Sequence, residues 1–204
     1  MNRVGMFLLL GIGLGNMAWC GSRAAAPQNG NASLTQEQAQ VYGDLMESFT
    51  KTNFKYVANR TFPLDLSGVG KDAACLQGFQ LRETKESSKA VHSLGPEVLR
   101  GHLVRLIDEQ EESEILKQRD AEVAAHGVNS MMDASGMIKD PGVLALSEIA
   151  FDKGYRFAVL KYVFLCGSHC NSGATLVLEK VGSRWTGTTR RPCSFAVNRA
   201  SPRE

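Results

Sequence analysis

The segment Tyr155–Leu165 (YRFAVLKYVFL) constrains the fold more than any other part of this chain. It is rich in aromatic and β-branched residues, and it is apolar on both faces apart from Arg156 and Lys161. A run of this kind is typical of a strand that has neighbours on both sides and is covered on both faces. The sequence therefore predicts a central strand here.

Three further segments predict strands beside the central one. Residues 144–151 (LALSEIAF) alternate with period two and are followed by a tight turn at residues 152–154. Residues 174–181 form the next apolar run, and a two-residue turn separates them from residues 184–189. This order predicts an antiparallel meander of about four strands.

The N-terminal half predicts helices. Thr35 and Gln38 have the spacing of a capping box, and the apolar residues that follow have helical spacing, which predicts a helix over 35–51. Pro96 suits the first turn of a second helix, whose apolar stripe would comprise the residues Leu99, Leu103, Leu106 and Ile107. Helices that precede strands indicate an α+β fold with the helices packed on the meander.

Two other segments permit coarser predictions. Residues 54–66 are of mixed character and are compatible with a strand that Pro63 would restrict to a sheet edge. The charged run 108–120 is compatible with a solvated helix, which Gly127 would end by adopting a left-handed conformation.

The N-terminus has the pattern of a secretory signal peptide. A positive start at Arg3 precedes an apolar stretch that is shorter than the roughly 20 residues a transmembrane helix needs. We expect a signal peptide over 1–24, a flexible spacer over 25–34, one α+β domain over 35–198 and a disordered tail over 199–204. The alternative is a lipoprotein with its lipid on Cys20, although Trp19 fits a lipobox poorly.

Export predicts a periplasmic or extracellular protein, with membrane anchoring only if Cys20 carries a lipid. Cleavage would remove Arg3 and Arg23 and no acidic residue. The mature chain would then contain 21 of the 23 basic residues and all 21 acidic residues. A neutral chain has no general electrostatic attraction for nucleic acid or anionic lipid. We therefore predict no nucleic-acid partner and no transmembrane span in the mature chain.

The four remaining cysteines are an even set, which in an exported protein predicts disulfides. Cys166 and Cys170 lie between two predicted strands, where a bridge would fix the end of the hairpin. Cys75 and Cys193 would then form the second bridge, although four cysteines allow three connectivities.

The sequence CGSHC at 166–170 leaves two other interpretations open. Cys166, His169 and Cys170 could form a thiol-redox pair with a neighbouring imidazole, or three ligands of a metal. A redox pair more often has two intervening residues at a helix start, and a zinc site would need a second knuckle. Neither feature occurs, so a structural disulfide is the favoured interpretation and no metal or cofactor is predicted.

No catalytic motif was found in the sequence. A nucleophile elbow, an H-E-x-x-H zinc motif and a phosphate-binding loop are all absent. His92, His102 and His126 are isolated, and we expect His102 to be a surface or boundary residue. We expect Trp185 to be a core or hairpin residue, with ligand stacking as the alternative.

Several short elements keep a recognisable order and spacing over residues 146–190. They are LSEIAFDK (146–153), CGSHC (166–170), Gly173, LEK (178–180) and Trp185. This series resembles a group of uncharacterised exported bacterial proteins with a CGxxC hairpin, although those relatives have Leu and Gly where this chain has His169 and Asn171. The resemblance implies export and the hairpin, and it implies no activity.

We therefore expect an exported bacterial domain that is non-catalytic, stabilised by disulfides and engaged in binding or envelope support. An enzyme whose site assembles from scattered residues is the alternative. A cavity lined by buried, partnered His, Asp or Glu side chains would favour it.

Overall fold

The computed structural model describes residues 33–49, 54–66, 80–81, 91–100, 102–131, 142–168 and 171–188, all within one compact unit formed by residues 31–204. The predicted signal peptide and the predicted tail lie outside the described residues. Within these ranges, no helix is long and apolar enough to cross a membrane.

Two helices and seven strands make up the described fold, which confirms the α+β class. The helices are α1 (Gln36–Ser48) and α2 (Glu109–His126). The strands are β1 (Tyr56–Ala58), β2 (Arg105–Ile107), β3 (Val143–Leu146), β4 (Ala150–Phe151), β5 (Phe157–Leu165), β6 (Ser172–Val181) and β7 (Arg184–Gly187). Short 3₁₀ helices cover Pro96–Val98 and Val128–Met131.

The sheet is mixed, so the prediction of a simple meander of about four strands is wrong. The strand order is β2-β1-β3-β5-β6-β7, and β4 pairs with β5 beyond the end of β3. β3 to β7 are joined by antiparallel pairs, as predicted for this part of the chain. The difference comes from β1, which pairs parallel with both β2 and β3.

β1 is an interior strand and not the edge strand that Pro63 suggested. Tyr56 pairs with Arg105 on one side and with Val143 on the other. Pro63 lies well beyond Ala58, the last residue of β1, so its missing N–H interrupts no hydrogen bond of this ladder.

The helix predicted from Pro96 is also wrong beyond its first turn. Arg100 has a positive φ of 44°, which a continuing α-helix does not allow, and Leu103 is fully exposed. Ile107, only 1% exposed, is buried as a strand residue beside Ala58 and Val143. The apolar spacing here therefore reflects a turn followed by β2.

The helices predicted over 35–51 and over the charged run 108–120 are confirmed. Thr35 caps α1 through a complete capping box with Gln38, and the helix buries Val41, Tyr42, Leu45 and Met46 against one face of the sheet. Asp108 caps α2, which packs Ile115 against the other face, and Gly127 ends it with φ 78°. Burial of each large apolar side chain in α1 contributes about 1.5–3 kcal/mol.

Alternate residues of β5 divide the core between these two faces. Ala158, Leu160, Tyr162 and Phe164 pack in the cluster that contains α1. On the opposite face Leu165 packs with β1, β2 and β3, and Phe157 and Val159 form a separate small cluster. The central strand is thus covered on both faces, as its sequence predicted.

Candidate functional site

A buried polar cluster lies where β3 ends. It consists of Thr61, His92 and Glu148, which we call the Glu148 cluster, and Glu148 itself is 2% exposed. One carboxylate oxygen, Oε2, lies 2.8 Å from the His92 Nδ1 atom. The other, Oε1, accepts hydrogen bonds from the Thr61 hydroxyl and, at 3.0 Å, from the His92 backbone N–H. Both oxygens are therefore occupied by partners from the chain.

Irregular strand pairing brings these three residues together. Residues 59–62 continue the line of β1, with Arg60 pairing with Ser93 on one side and Phe62 with Ser147 on the other. The Glu148 backbone N–H donates to the Phe62 carbonyl at 2.8 Å, and the Thr61 N–H donates to the His92 carbonyl at 3.0 Å. We call residues 59–62 the β1 extension.

This pairing also explains why the single strand predicted over 144–151 is split into β3 and β4. The Lys161 backbone N–H donates a hydrogen bond of 2.7 Å to the Ser147 hydroxyl oxygen, and not to a carbonyl of the neighbouring strand. Glu148 then turns its backbone towards the β1 extension and its side chain towards His92. The ladder with β5 resumes at Ala150.

Tyr42 connects α1 to the same region. Its hydroxyl donates a hydrogen bond of 2.8 Å to the Ser147 carbonyl, and the side chain is fully buried. Burial, and secondly the charge of the Glu148 carboxylate, raise the pKa of Tyr42 well above its ordinary value near 10.

We expect this shift to make folding sensitive to alkali. Above about pH 10 the unfolded chain loses the Tyr42 proton while the folded chain retains it, so the free energy of unfolding falls as pH rises. Tyr42→Phe is less stable at pH 8, because the Ser147 carbonyl loses its donor. The difference from the natural protein should narrow above pH 10. Urea unfolding between pH 8 and 11 measures this, with Tyr155→Phe as the exposed control. A constant difference would contradict the assignment.

A cleft opens on the other face of the sheet, between the first turn of α2 and the β1 extension. Its volume is about 410 Å³, within the range of small-ligand sites. We call it the α2 cleft. Its apolar floor is formed by Ala58, Phe62, Ala145, Val163 and Leu165, and its polar rim by Asn59, Arg60, Thr61, Glu109 and Glu112.

The charges at the rim of the α2 cleft do not balance. Arg60 Nη1 lies 3.3 Å from Glu109 Oε2, and both side chains are more than half exposed. Glu112 has no ion pair or side-chain hydrogen bond among the described residues. Burial, and secondly the neighbouring Glu109, raise the pKa of Glu112, although Arg60 opposes this. A partly buried carboxylate that has no ion-pair partner in the described part of the chain therefore lines an apolar cleft.

A second cavity of about 410 Å³ lies between α1 and β7. Its acidic groups already have partners within the chain. Asp44, whose side chain is 1% exposed, lies 2.5 Å from Arg100 and accepts a 2.7 Å hydrogen bond from the Trp185 backbone N–H. Glu47 pairs with both Arg100 and Arg184. This arrangement attaches α1 to the sheet edge.

The structure describes only part of the predicted cysteine sites. Cys166 is 1% exposed, packs against Val123 of α2 and is disulfide-bonded. Cys20, Cys75, His169, Cys170 and Cys193 lie outside the described residues, so the pairings 166–170 and 75–193 and the lipid on Cys20 stay predictions. In the described ranges, no group of three His, Cys, Asp or Glu side chains is placed to hold a metal.

The structure describes the positions of Trp185 and of the histidines His92, His102 and His126. Trp185 is 2% exposed and its Nε1 donates to Glu37 at 3.0 Å, which confirms the packing interpretation. His102 is partly buried and His126 is exposed on the last turn of α2. His92, described from sequence as isolated, is instead a partner of Glu148.

Glu148 and the α2 cleft were missed by the sequence analysis. The available signal was a single acidic residue inside the otherwise apolar and small run LALSEIAF. A carboxylate there must be either exposed or partnered, because an isolated buried charge is too costly. Its partners His92 and Thr61 lie far away in sequence, and nothing local identifies them.

No family model matches the chain, and no curated protein or solved structure matches it either.

Proposed function

We propose that this protein is an exported, non-catalytic binding domain and that the α2 cleft is its ligand site. Export rests on the signal-peptide pattern of residues 1–24. A lipid on Cys20 would tether the same domain to a membrane, and signal cleavage beyond it would release the domain. Mass spectrometry of the mature N-terminus distinguishes the two forms.

The observation that carries the proposal is Glu112 at the rim of the α2 cleft. Its side chain is partly buried and lines the cleft, and no described residue forms an ion pair with it, although Arg60 lies close enough to attract its charge. The floor beside it is apolar. Ligand sites commonly combine a concave apolar surface with a few polar groups in this way.

We assign a structural role, and not a ligand-binding role, to the Glu148 cluster. Three donors from the chain occupy its carboxylate, and the hydrogen bonds fix the β1 extension between β3 and residues 92–94. The same extension provides one wall of the α2 cleft. The disulfide at Cys166 stabilises the domain where β5 ends, close to α2.

The test is ligand-dependent thermal stabilisation, with 1-hexanol as a neutral apolar probe. We expect hexanol to raise the Tm of the natural protein, because a ligand that binds only the folded state stabilises it. Val163→Trp, which fills the cleft floor, should abolish the shift. Val181→Trp is the matched control, since Val181 is 62% exposed and lies outside the cleft. A Tm unaffected by hexanol, or a shift retained in Val163→Trp, would overturn the proposal.

A second candidate function is acid–base catalysis by His92. The 2.8 Å contact between Glu148 and Nδ1 would orient the imidazole and leave Nε2 for a proton transfer, and the His92 side chain is 14% exposed. Hydrolysis of p-nitrophenyl esters by the natural protein tests this. Loss of hydrolysis by at least about 100-fold in His92→Gln, but not in His126→Gln, would favour the enzyme. Equal rates in both variants would exclude this use of His92.

A further inference from the structure

The described residues that line the α2 cleft have a net negative charge, which selects among ligand classes. Glu109 and Glu112 lie at its rim with a single arginine, Arg60, which is paired with Glu109. Glu111 lies between Glu109 and Glu112 in the sequence of α2, but it is paired with Arg105 at 2.6 Å and does not line the cleft. Glu112 is thus the rim charge that a ligand has to accommodate.

The three simplest ligand classes differ in what they do to Glu112. An anion would meet two carboxylates in a partly dehydrated site. A neutral apolar molecule would cover the floor and dehydrate Glu112 further without providing a partner, which is costly. A cation would supply the missing partner in the same place, and hydrogen bonds between charged groups are stronger than neutral ones.

Resting on the proposed binding function, we infer that the ligand is a small organic cation: an amine or guanidinium head on an apolar body. The head binds Glu112 at the rim, and the body lies on Val163, Ala145 and Leu165. Phe62 lines the same cleft, and aromatic rings attract cations through their faces. A volume of about 410 Å³ accommodates an alkyl chain of this kind.

The experiment compares three probes with one hexyl chain: hexylamine, 1-hexanol and hexanoate. Calorimetric titration into the full mature chain at pH 7.5 should give the tightest binding for hexylamine, at least about tenfold above hexanol. Hexanoate should bind most weakly. Affinity along an alkylamine series should rise roughly fourfold per methylene until the cleft is filled.

Two isosteric variants of α2 test whether Glu112 is the residue that binds the amine head. Glu112→Gln should reduce hexylamine affinity about tenfold and should not weaken hexanol binding, because it removes the charge that hexanol would dehydrate. Glu114→Gln removes the same charge from an exposed position outside the cleft, and it should retain the affinity of the natural protein. Circular dichroism confirms that both variants fold.

The outcomes separate this inference from the proposed function. Binding of hexanol and hexylamine with equal affinity, both lost in Val163→Trp, would overturn the cation class and retain the cleft as a binding site. Equal losses in Glu112→Gln and Glu114→Gln would also overturn it, because they would indicate general electrostatic attraction. Absence of binding by all three probes would overturn both proposals.

Discussion

Replacing Glu148 by alanine should destabilise the protein by about 3–5 kcal/mol, the largest effect we expect from a polar substitution. Removal of one member of a buried charged network has this order of cost, because the other members keep their desolvation penalty. The Thr61 hydroxyl and the His92 backbone N–H lose a shared buried acceptor and retain only the hydrogen bonds between Thr61 and the His92 backbone. The His92 Nδ1 loses its partner. The loss is measured by urea unfolding with linear extrapolation.

Two comparisons make the Glu148 prediction specific. Glu114→Ala, at an exposed position of α2, should change the free energy of unfolding by less than about 0.5 kcal/mol. Thr61→Val and Glu148→Ala should be non-additive, because they remove members of one network. A cost below about 1 kcal/mol for Glu148→Ala, or strict additivity with Thr61→Val, would show that the cluster does not hold the β1 extension.

Replacing Asp44 by alanine should cost about 2–4 kcal/mol and loosen α1 from the sheet edge. The Asp44 carboxylate is buried, contacts Arg100 at 2.5 Å and accepts the hydrogen bond from the buried Trp185 N–H. A buried donor left without an acceptor costs about 1–3 kcal/mol by itself. Arg100 also loses its closest partner. The free energy of unfolding and the fluorescence of Trp185 report the two effects.

Glu47 provides the control for Asp44, because both carboxylates contact Arg100 and Arg184 and Glu47 is the more exposed of the two. Its side chain is 37% exposed against 1% for Asp44. Surface ion pairs contribute about 0–1 kcal/mol, so Glu47→Ala should have a small effect. Gly43 belongs to the same arrangement, since a Cβ there would lie 2.3 Å from the Arg100 Nε atom. Equal losses in Asp44→Ala and Glu47→Ala would contradict the role assigned to the buried carboxylate.

Local chemistry explains which parts of the fold the sequence predicted. The capping box at Thr35 and Gln38 involves residues three apart, so the start of α1 is determined within one turn. β5, β6 and β7 are antiparallel neighbours that follow one another closely in sequence, and their apolar runs identify them without distant partners. The central position of β5 follows from a strand that is apolar on both faces.

The parallel part of the sheet could not be predicted in this way. β1 and β2 have three residues each and pair across about fifty residues of sequence. Strands of three residues show no clear alternation of apolar and polar side chains. Their pairing depends on packing against β3, whose residues bury theirs in a common cluster. The apolar residues near Leu106 have the spacing of a helix, and only the register with β1 distinguishes the strand.

The candidate sites were less predictable than the fold, because both depend on tertiary contacts. Glu148 obtains its partners from the β1 extension and from residue 92, which the mixed sheet brings together. Glu112 belongs to a charged run that reads as a solvated helix face. Its significance comes from the apolar floor formed by β1, β3 and β5 beneath it.

A crystal structure of the mature chain grown with hexylamine tests the central claim most directly. The account predicts the amine nitrogen about 3 Å from a Glu112 carboxylate oxygen and the alkyl chain on Val163 and Leu165. An amine bound elsewhere, or an alkyl chain in the α2 cleft with its nitrogen directed away from Glu112, would contradict it.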